Sequence, residues 1–143
     1  LPEYLHDVSP AERRRVARAL GTMLRHLHDA GFRHQDLYAK HVLVGEARFT
    51  LLDWQRGGKY ACDPMRDLVT LHATLAEHLA SPRDRLAFLR AYGRPEWVRT
   101  ILTQAAQLLA KRHVREKRGQ VQGHTWTLLE GRALCVTPAL GPE

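Results

Sequence analysis

Residues 32–56 read Phe-Arg-His-Gln-Asp-Leu-Tyr-Ala-Lys-His-Val-Leu-Val-Gly-Glu-Ala-Arg-Phe-Thr-Leu-Leu-Asp-Trp-Gln-Arg. Val42-Leu43-Val44 and Phe49-Thr50-Leu51-Leu52 are short runs rich in β-branched and aliphatic residues, and Gly45-Glu46-Ala47-Arg48 separates them. Such a pattern predicts a β-hairpin. His34-x-Asp36 precedes the first strand and Asp53 follows the second. The two carboxylates, 17 residues apart, therefore stand at the edge of one small hairpin and converge on one point. Paired acids at such loop ends more often serve chemistry than turn geometry.

Outward from this stretch, helix signals dominate. Ser9 and Glu12 have capping-box spacing, with Pro10 at the first helical position. Val16, Leu20, Met23, Leu24 and Leu27 then recur at helical spacing, and Gly31 predicts the stop. Asp63-Pro64 predicts a second helix with an apolar stripe of Leu68, Leu71, Leu75 and Leu79. Ser81-Pro82 predicts a third, to about Tyr92. Pro95 predicts a fourth, with Trp97, Ile101, Leu102, Ala105, Leu108 and Leu109 on one side. A weaker hairpin signal follows: Thr125 to Leu129, Glu130-Gly131, then Ala133 to Val136.

The chain has 143 residues, 44% hydrophobic and 26% charged, which is enough for one domain with a real core. No run of 18 apolar residues occurs, and Leu1-Pro2-Glu3-Tyr4 carries neither a basic n-region nor an apolar h-region. Cys62 and Cys135 are the only cysteines, too few for a disulfide framework and in keeping with a reducing compartment. The net charge of +7 gathers in Arg13-Arg14-Arg15 with Arg18 and in residues 111–118. Such a surface suits acidic partners or is a solvated helix face.

His34-Gln35-Asp36-Leu37-Tyr38-Ala39-Lys40-His41, followed by Leu51-Leu52-Asp53-Trp54-Gln55-Arg56, resembles the lipopolysaccharide core kinases. That family phosphorylates 3-deoxy-D-manno-octulosonic acid (Kdo) or heptose of the inner core and has the protein-kinase fold. The resemblance covers residues 1–118 and continues in Arg66-Asp67-Leu68 and Arg112-His113. It implies a mainly α chain with a small β-hairpin, a protein-kinase-like C-lobe of the α+β class. Residues 1–118 would form that lobe and residues 119–143 a tail with a possible hairpin. It also implies ATP and Mg²⁺ as cofactors and a glycan or glycolipid hydroxyl as acceptor.

Residue by residue, the resemblance makes Asp36 the catalytic-loop aspartate that accepts or orients the hydroxyl proton. Asp53 becomes the principal Mg²⁺ ligand, with Trp54 and Gln55 where protein kinases have Phe and Gly. His41 stands where they place a metal-binding Asn. Mg²⁺ prefers oxygen, so His41 divides between metal ligand and hydrogen-bonding support for Asp36 or a phosphate. Lys40 is a candidate phosphate contact, and Asp67 a buried brace behind the catalytic loop. Taken alone, Asp67 is most simply an acid favoured in a first helical turn, and His34 reads as structural. His26 and His28 lack zinc-ligand spacing.

Only about ten residues separate Asp53 from Asp63-Pro64, and Ala-Pro-Glu is absent, which leaves little platform for a peptide. A sugar hydroxyl is the better acceptor. Neither Gly-x-Gly-x-x-Gly nor Val-Ala-x-Lys occurs. An N-terminal lobe is therefore expected in the full protein, and this chain alone is expected to be inactive. Aminoglycoside- or choline-type kinases are an alternative, disfavoured by Gln35 and His41. A pseudokinase-like binding module is another, disfavoured by intact Asp36 and Asp53. Nucleic acid is not the expected partner. The expected location is cytoplasmic, with residues 111–118 as a contact to the anionic cytoplasmic face of a bacterial inner membrane.

Overall fold

The computed structural model describes residues 1–46, 48–60, 63–121, 125–129 and 132–136, with side chains described to residue 114. It divides into two compact units, residues 1–106 and 107–143. Among the described residues the chain is mainly helical, with α1 (Pro2–His6), α2 (Pro10–Asp29), α3 (Met65–Thr74), α4 (Pro82–Tyr92) and α5 (Val98–Val121). Strands are short: β1 (Phe32–Arg33), β2 (Val42–Val44), β3 (Phe49–Leu51), β4 (Gly58–Lys59), β5 (Thr125–Leu129) and β6 (Arg132–Val136). They form three antiparallel pairs, β1–β4, β2–β3 and β5–β6. The mainly α architecture with a small hairpin agrees with the sequence reading.

α2 begins where expected, with Ser9 Oγ accepting from the Glu12 amide. The box is only half made, because the Glu12 carboxylate is taken by the Tyr4 hydroxyl and by Arg15. The reciprocal box forms instead at α4, between Ser81 and Asp84. The buried series on α2 is Val16, Leu20, Leu24 and His28, one face at a spacing of four. This face packs on α4. Gly21 permits the approach, since a Cβ there would lie 2.4 Å from the Phe88 carbonyl oxygen.

α3 is shorter than its leucine stripe suggests. Asp63 caps its first turn through the Met65 amide, but the helix ends at Thr74. Leu75 is extended and Leu79 lies in a separate 3₁₀ turn. The apolar spacing runs on because Leu71 and Leu79 are both buried, although no helix joins them. Arg85 stabilises this break by donating to the carbonyls of His72, Leu75 and Ala80. At the fourth predicted helix, Pro95–Trp97 form a 3₁₀ turn before α5. Ile101 and Ala105 are buried, whereas Leu102 is exposed, so the apolar stripe is narrower than the sequence implied. The β5–β6 pair matches the tail hairpin expected from sequence; its Glu130-Gly131 turn lies outside the described residues.

Arg85 also donates to His72 Nδ1 at 2.8 Å. Burial, reinforced by the Arg85 charge, lowers the His72 pKa to about 4. Between pH 4 and 6.5 the unfolded chain therefore binds a proton at His72 that the folded chain does not, so stability rises with pH. The contribution is complete above pH 6.5 and is lost as pH falls towards about 4. Urea unfolding at pH 7 and pH 5 should show a smaller pH dependence for His72→Gln than for the wild type. Equal slopes would contradict this.

Candidate active site

The β1–β4 ladder pairs Phe32 with Lys59 and Arg33 with Gly58, and the β2–β3 hairpin pairs Val42 with Leu51. Two loops run between these ladders. One, residues 34–41, carries Asp36; the other, residues 52–57, carries Asp53. The hydrogen bond from the Leu52 amide to the His41 carbonyl, 2.8 Å, joins them. Leu37, fully buried beside Asp36, anchors the first loop. Removing such a side chain from water is worth about 1.5–3 kcal/mol.

His41 spans the two acids. Its Nδ1 lies 3.0 Å from the Asp36 backbone carbonyl and its Nε2 lies 3.8 Å from Asp53 Oδ2. A carbonyl only accepts, so Nδ1 carries the hydrogen. In the neutral ring the Nε2 lone pair then faces a carboxylate, an arrangement that a cation between them would satisfy. The Asp53 side chain is about half exposed, at 47%. Among the described residues no group of three or more His, Cys, Asp or Glu forms a metal cage. One open carboxylate with an adjacent imidazole fits Mg²⁺ that takes most of its ligands from phosphates and water.

Asp36 meets two guanidinium groups: Arg56 Nη1 is 3.4 Å from Oδ2, and Arg66 Nη2 is 3.9 Å from Oδ1. Both arginines are more than half exposed, so these pairs contribute little stability and can reorganise around a ligand. Neither arginine was assigned a site role from sequence. Lys40 is exposed, with its ammonium over the Tyr38 ring rather than at either acid.

Asp67 braces the Asp36 loop from behind. It is 1% exposed and accepts from the amides of His34 and Gln35, each at 2.7 Å. Its third partner is His28 Nε2 at 3.2 Å, while His28 Nδ1 meets the Tyr92 hydroxyl at 2.8 Å. Burial pushes the Asp67 carboxyl up, but the His28 and amide hydrogen bonds outweigh it and hold the group below its ordinary range. His34 is structural, as read from sequence. It is fully buried, its Nε2 lies 2.8 Å from the Leu52 carbonyl, and its ring contacts Trp54.

Gln35 and Asp53 both adopt left-handed backbone, at φ +67° and +62°. Strain of this kind is sustained where surrounding contacts over-determine it, and it clusters at functional sites. Here the Asp67 bonds hold Gln35. After Asp53 the chain must turn sharply around Trp54, and a Cβ at Gly57 would lie 2.1 Å from the indole.

The profile of the lipopolysaccharide kinase (Kdo/WaaP) family matches residues 1–92. The chain belongs to that family. One relative is the lipopolysaccharide core heptose(I) kinase WaaP of Pseudomonas aeruginosa strain PAO1, 31% identical over 113 residues. The match covers 71% of this chain and 42% of the relative, so the chain spans less than half the length of that kinase. No solved structure matches significantly. The family's matched segment contains the whole arrangement around Asp36, His41, Asp53 and Asp67.

Proposed function

We propose that the chain supplies the catalytic and metal-binding half of an ATP- and Mg²⁺-dependent kinase. Its acceptor is a sugar hydroxyl of the lipopolysaccharide inner core, on Kdo or heptose. The observation that carries this reading is His41 bridging the backbone of Asp36 and the carboxylate of Asp53. Asp36 orients the acceptor hydroxyl and takes its proton. Asp53, with His41 beside it, holds Mg²⁺, which when bound neutralises charge on the nucleotide phosphates. Arg56 and Arg66 offset the Asp36 charge before substrate arrives and offer donors to phosphate afterwards.

The test is Mg²⁺ titration of nucleotide affinity in the full-length protein. Asp53→Ala should abolish the Mg²⁺-dependent part of binding, and His41→Ala should weaken it less, because oxygen is the preferred ligand. A larger loss in His41→Ala would reverse the ligand assignment.

We further propose peripheral attachment to an anionic bacterial inner membrane at its cytoplasmic face, where a glycolipid acceptor would be met. Five of the eight residues 111–118 are Lys or Arg, and each basic residue near such a surface is worth about 1 kcal/mol. Among the described residues no helix is long and apolar enough to cross a membrane. Co-sedimentation should favour vesicles containing phosphatidylglycerol over purely zwitterionic ones, and equal binding would refute the attachment.

A further inference from the structure

A cavity of about 400 Å³ lies among the end of α2, β1 and the turn after α4. Its volume falls within the range of small-molecule sites, about 300–1,000 Å³. Three guanidinium groups line it, from Arg25, Arg33 and Arg94, against one carboxylate, Asp29. They come from three different segments, so the fold gathers the charge rather than the local sequence.

Arg33 Nη1 donates to the carbonyls of His28 and Phe32, both at 2.8 Å, which fixes its position. Arg94 lies over the Trp97 ring, 5.3 Å from its centroid. A Cβ at Gly93 would lie 3.1 Å from Arg25 Nη1, so the Arg25 guanidinium sits beside the turn that carries Arg94. Arg25 pairs with Asp29 at 3.4 Å and Arg94 with Glu96 at 3.7 Å. All four side chains are more than half exposed, so these contacts are weak and easily given up. Guanidinium forks match phosphate oxygens better than any other side chain does. The volume exceeds that of a bare phosphate and leaves room for the alcohol part of an ester.

The cavity wall is also the start of the brace described above. Tyr92 and His28 line it; the Tyr92 hydroxyl meets His28, His28 meets Asp67, and Asp67 holds the amides of His34 and Gln35 next to Asp36. A ligand that shifts Tyr92 or His28 therefore acts on the backbone of the catalytic loop through three consecutive hydrogen bonds.

We propose that this cavity binds a phosphoryl group, free or on a small phosphate ester, through Arg25, Arg33 and Arg94, and that the Tyr92–His28–Asp67 relay carries its occupancy to the catalytic loop. Only the relay's functional meaning rests on the kinase reading; the binding does not.

The experiment is calorimetric titration of the 143-residue chain with inorganic phosphate and, separately, with a hexose 6-phosphate, alongside amide NMR. Both ligands should bind. Equal affinities identify the phosphoryl group alone as the ligand, and tighter binding of the ester identifies a sugar phosphate as its source. The double variant Arg25→Gln/Arg94→Gln should bind about 100-fold more weakly, tenfold per charge-assisted contact. Arg83→Gln, exposed at the opposite end of α4 and outside the cavity lining, should leave the affinity unchanged, which separates this cavity from general attraction to a basic surface. The His34 and Gln35 amide signals should move on binding in the wild type and stay still in Tyr92→Phe. Absence of binding in the folded chain, undiminished binding in the double variant, or loss of binding in Arg83→Gln would overturn the site. Unmoved His34 and Gln35 signals in the saturated wild type would overturn the relay.

Discussion

Asp36→Asn in the full-length protein is expected to lower phosphoryl transfer by about 10²–10⁴-fold, the usual cost of losing a general base. Nucleotide affinity should change little, because in the proposed mechanism Asp36 acts on the acceptor hydroxyl and Asp53 on the metal. The substitution keeps the shape of the side chain and one acceptor oxygen, so Arg56 and Arg66 can remain near it. It removes the charge and the second oxygen that would take the proton. The backbone carbonyl of Asp36 is untouched, so the His41 Nδ1 contact, which holds His41 beside Asp53, survives. The measurement is kcat on a Kdo- or heptose-containing acceptor beside nucleotide affinity. Near-wild-type turnover on a verified acceptor would remove Asp36 from the mechanism. Equal loss of turnover and nucleotide affinity would point instead to collapse of the loop.

The acids of this site were legible in the sequence because chemistry and local structure coincide there. His34-x-Asp36 and Asp53 flank two strands whose composition and turn mark a hairpin, and the pairing of Val42 with Leu51 bears that out. What frames the site was not legible. β1 and β4 are two residues each, too short to show alternation, yet their ladder closes the base of both loops. Gln35 and Asp53 are left-handed without being glycine, so nothing in their identity announces the turn. Arg56 and Arg66 reach Asp36 from separate segments, a convergence visible only in three dimensions. His28 did leave a signal. It continues the Val16, Leu20, Leu24 series on the buried face of α2, where a histidine requires polar partners. Those partners are Asp67 and Tyr92, 39 and 64 residues further on.

The largest stability effect is expected at Asp67. Asp67→Ala should destabilise the chain by about 3–5 kcal/mol, because it removes a buried carboxylate that accepts three hydrogen bonds. Two amides, those of His34 and Gln35, would lose acceptors at 2.7 Å, and buried His28 would lose its Nε2 partner. Each unsatisfied buried group costs about 1–3 kcal/mol, so the contributions reach this range even if His28 finds water. Set against a total stability of about 5–15 kcal/mol, the change is large. Asp67→Asn should be intermediate. Oδ2 serves both His28 and His34, whereas Oδ1 serves Gln35 alone. An amide oriented to keep the first two would turn its NH₂ towards the Gln35 amide, donor against donor. Because the carboxyl is held below its ordinary value of 3.8, its contribution is complete above that pH and is lost only as pH falls through the lower folded value. Asp67 and His72 are thus separable: the His72 part is lost between pH 6.5 and about 4, the Asp67 part below that window. Urea unfolding of both variants at pH 7 measures the ranking. A cost below about 1 kcal/mol for Asp67→Ala, the worth of an ordinary exposed pair, would mean that the Asp36 loop holds its strained backbone without this brace.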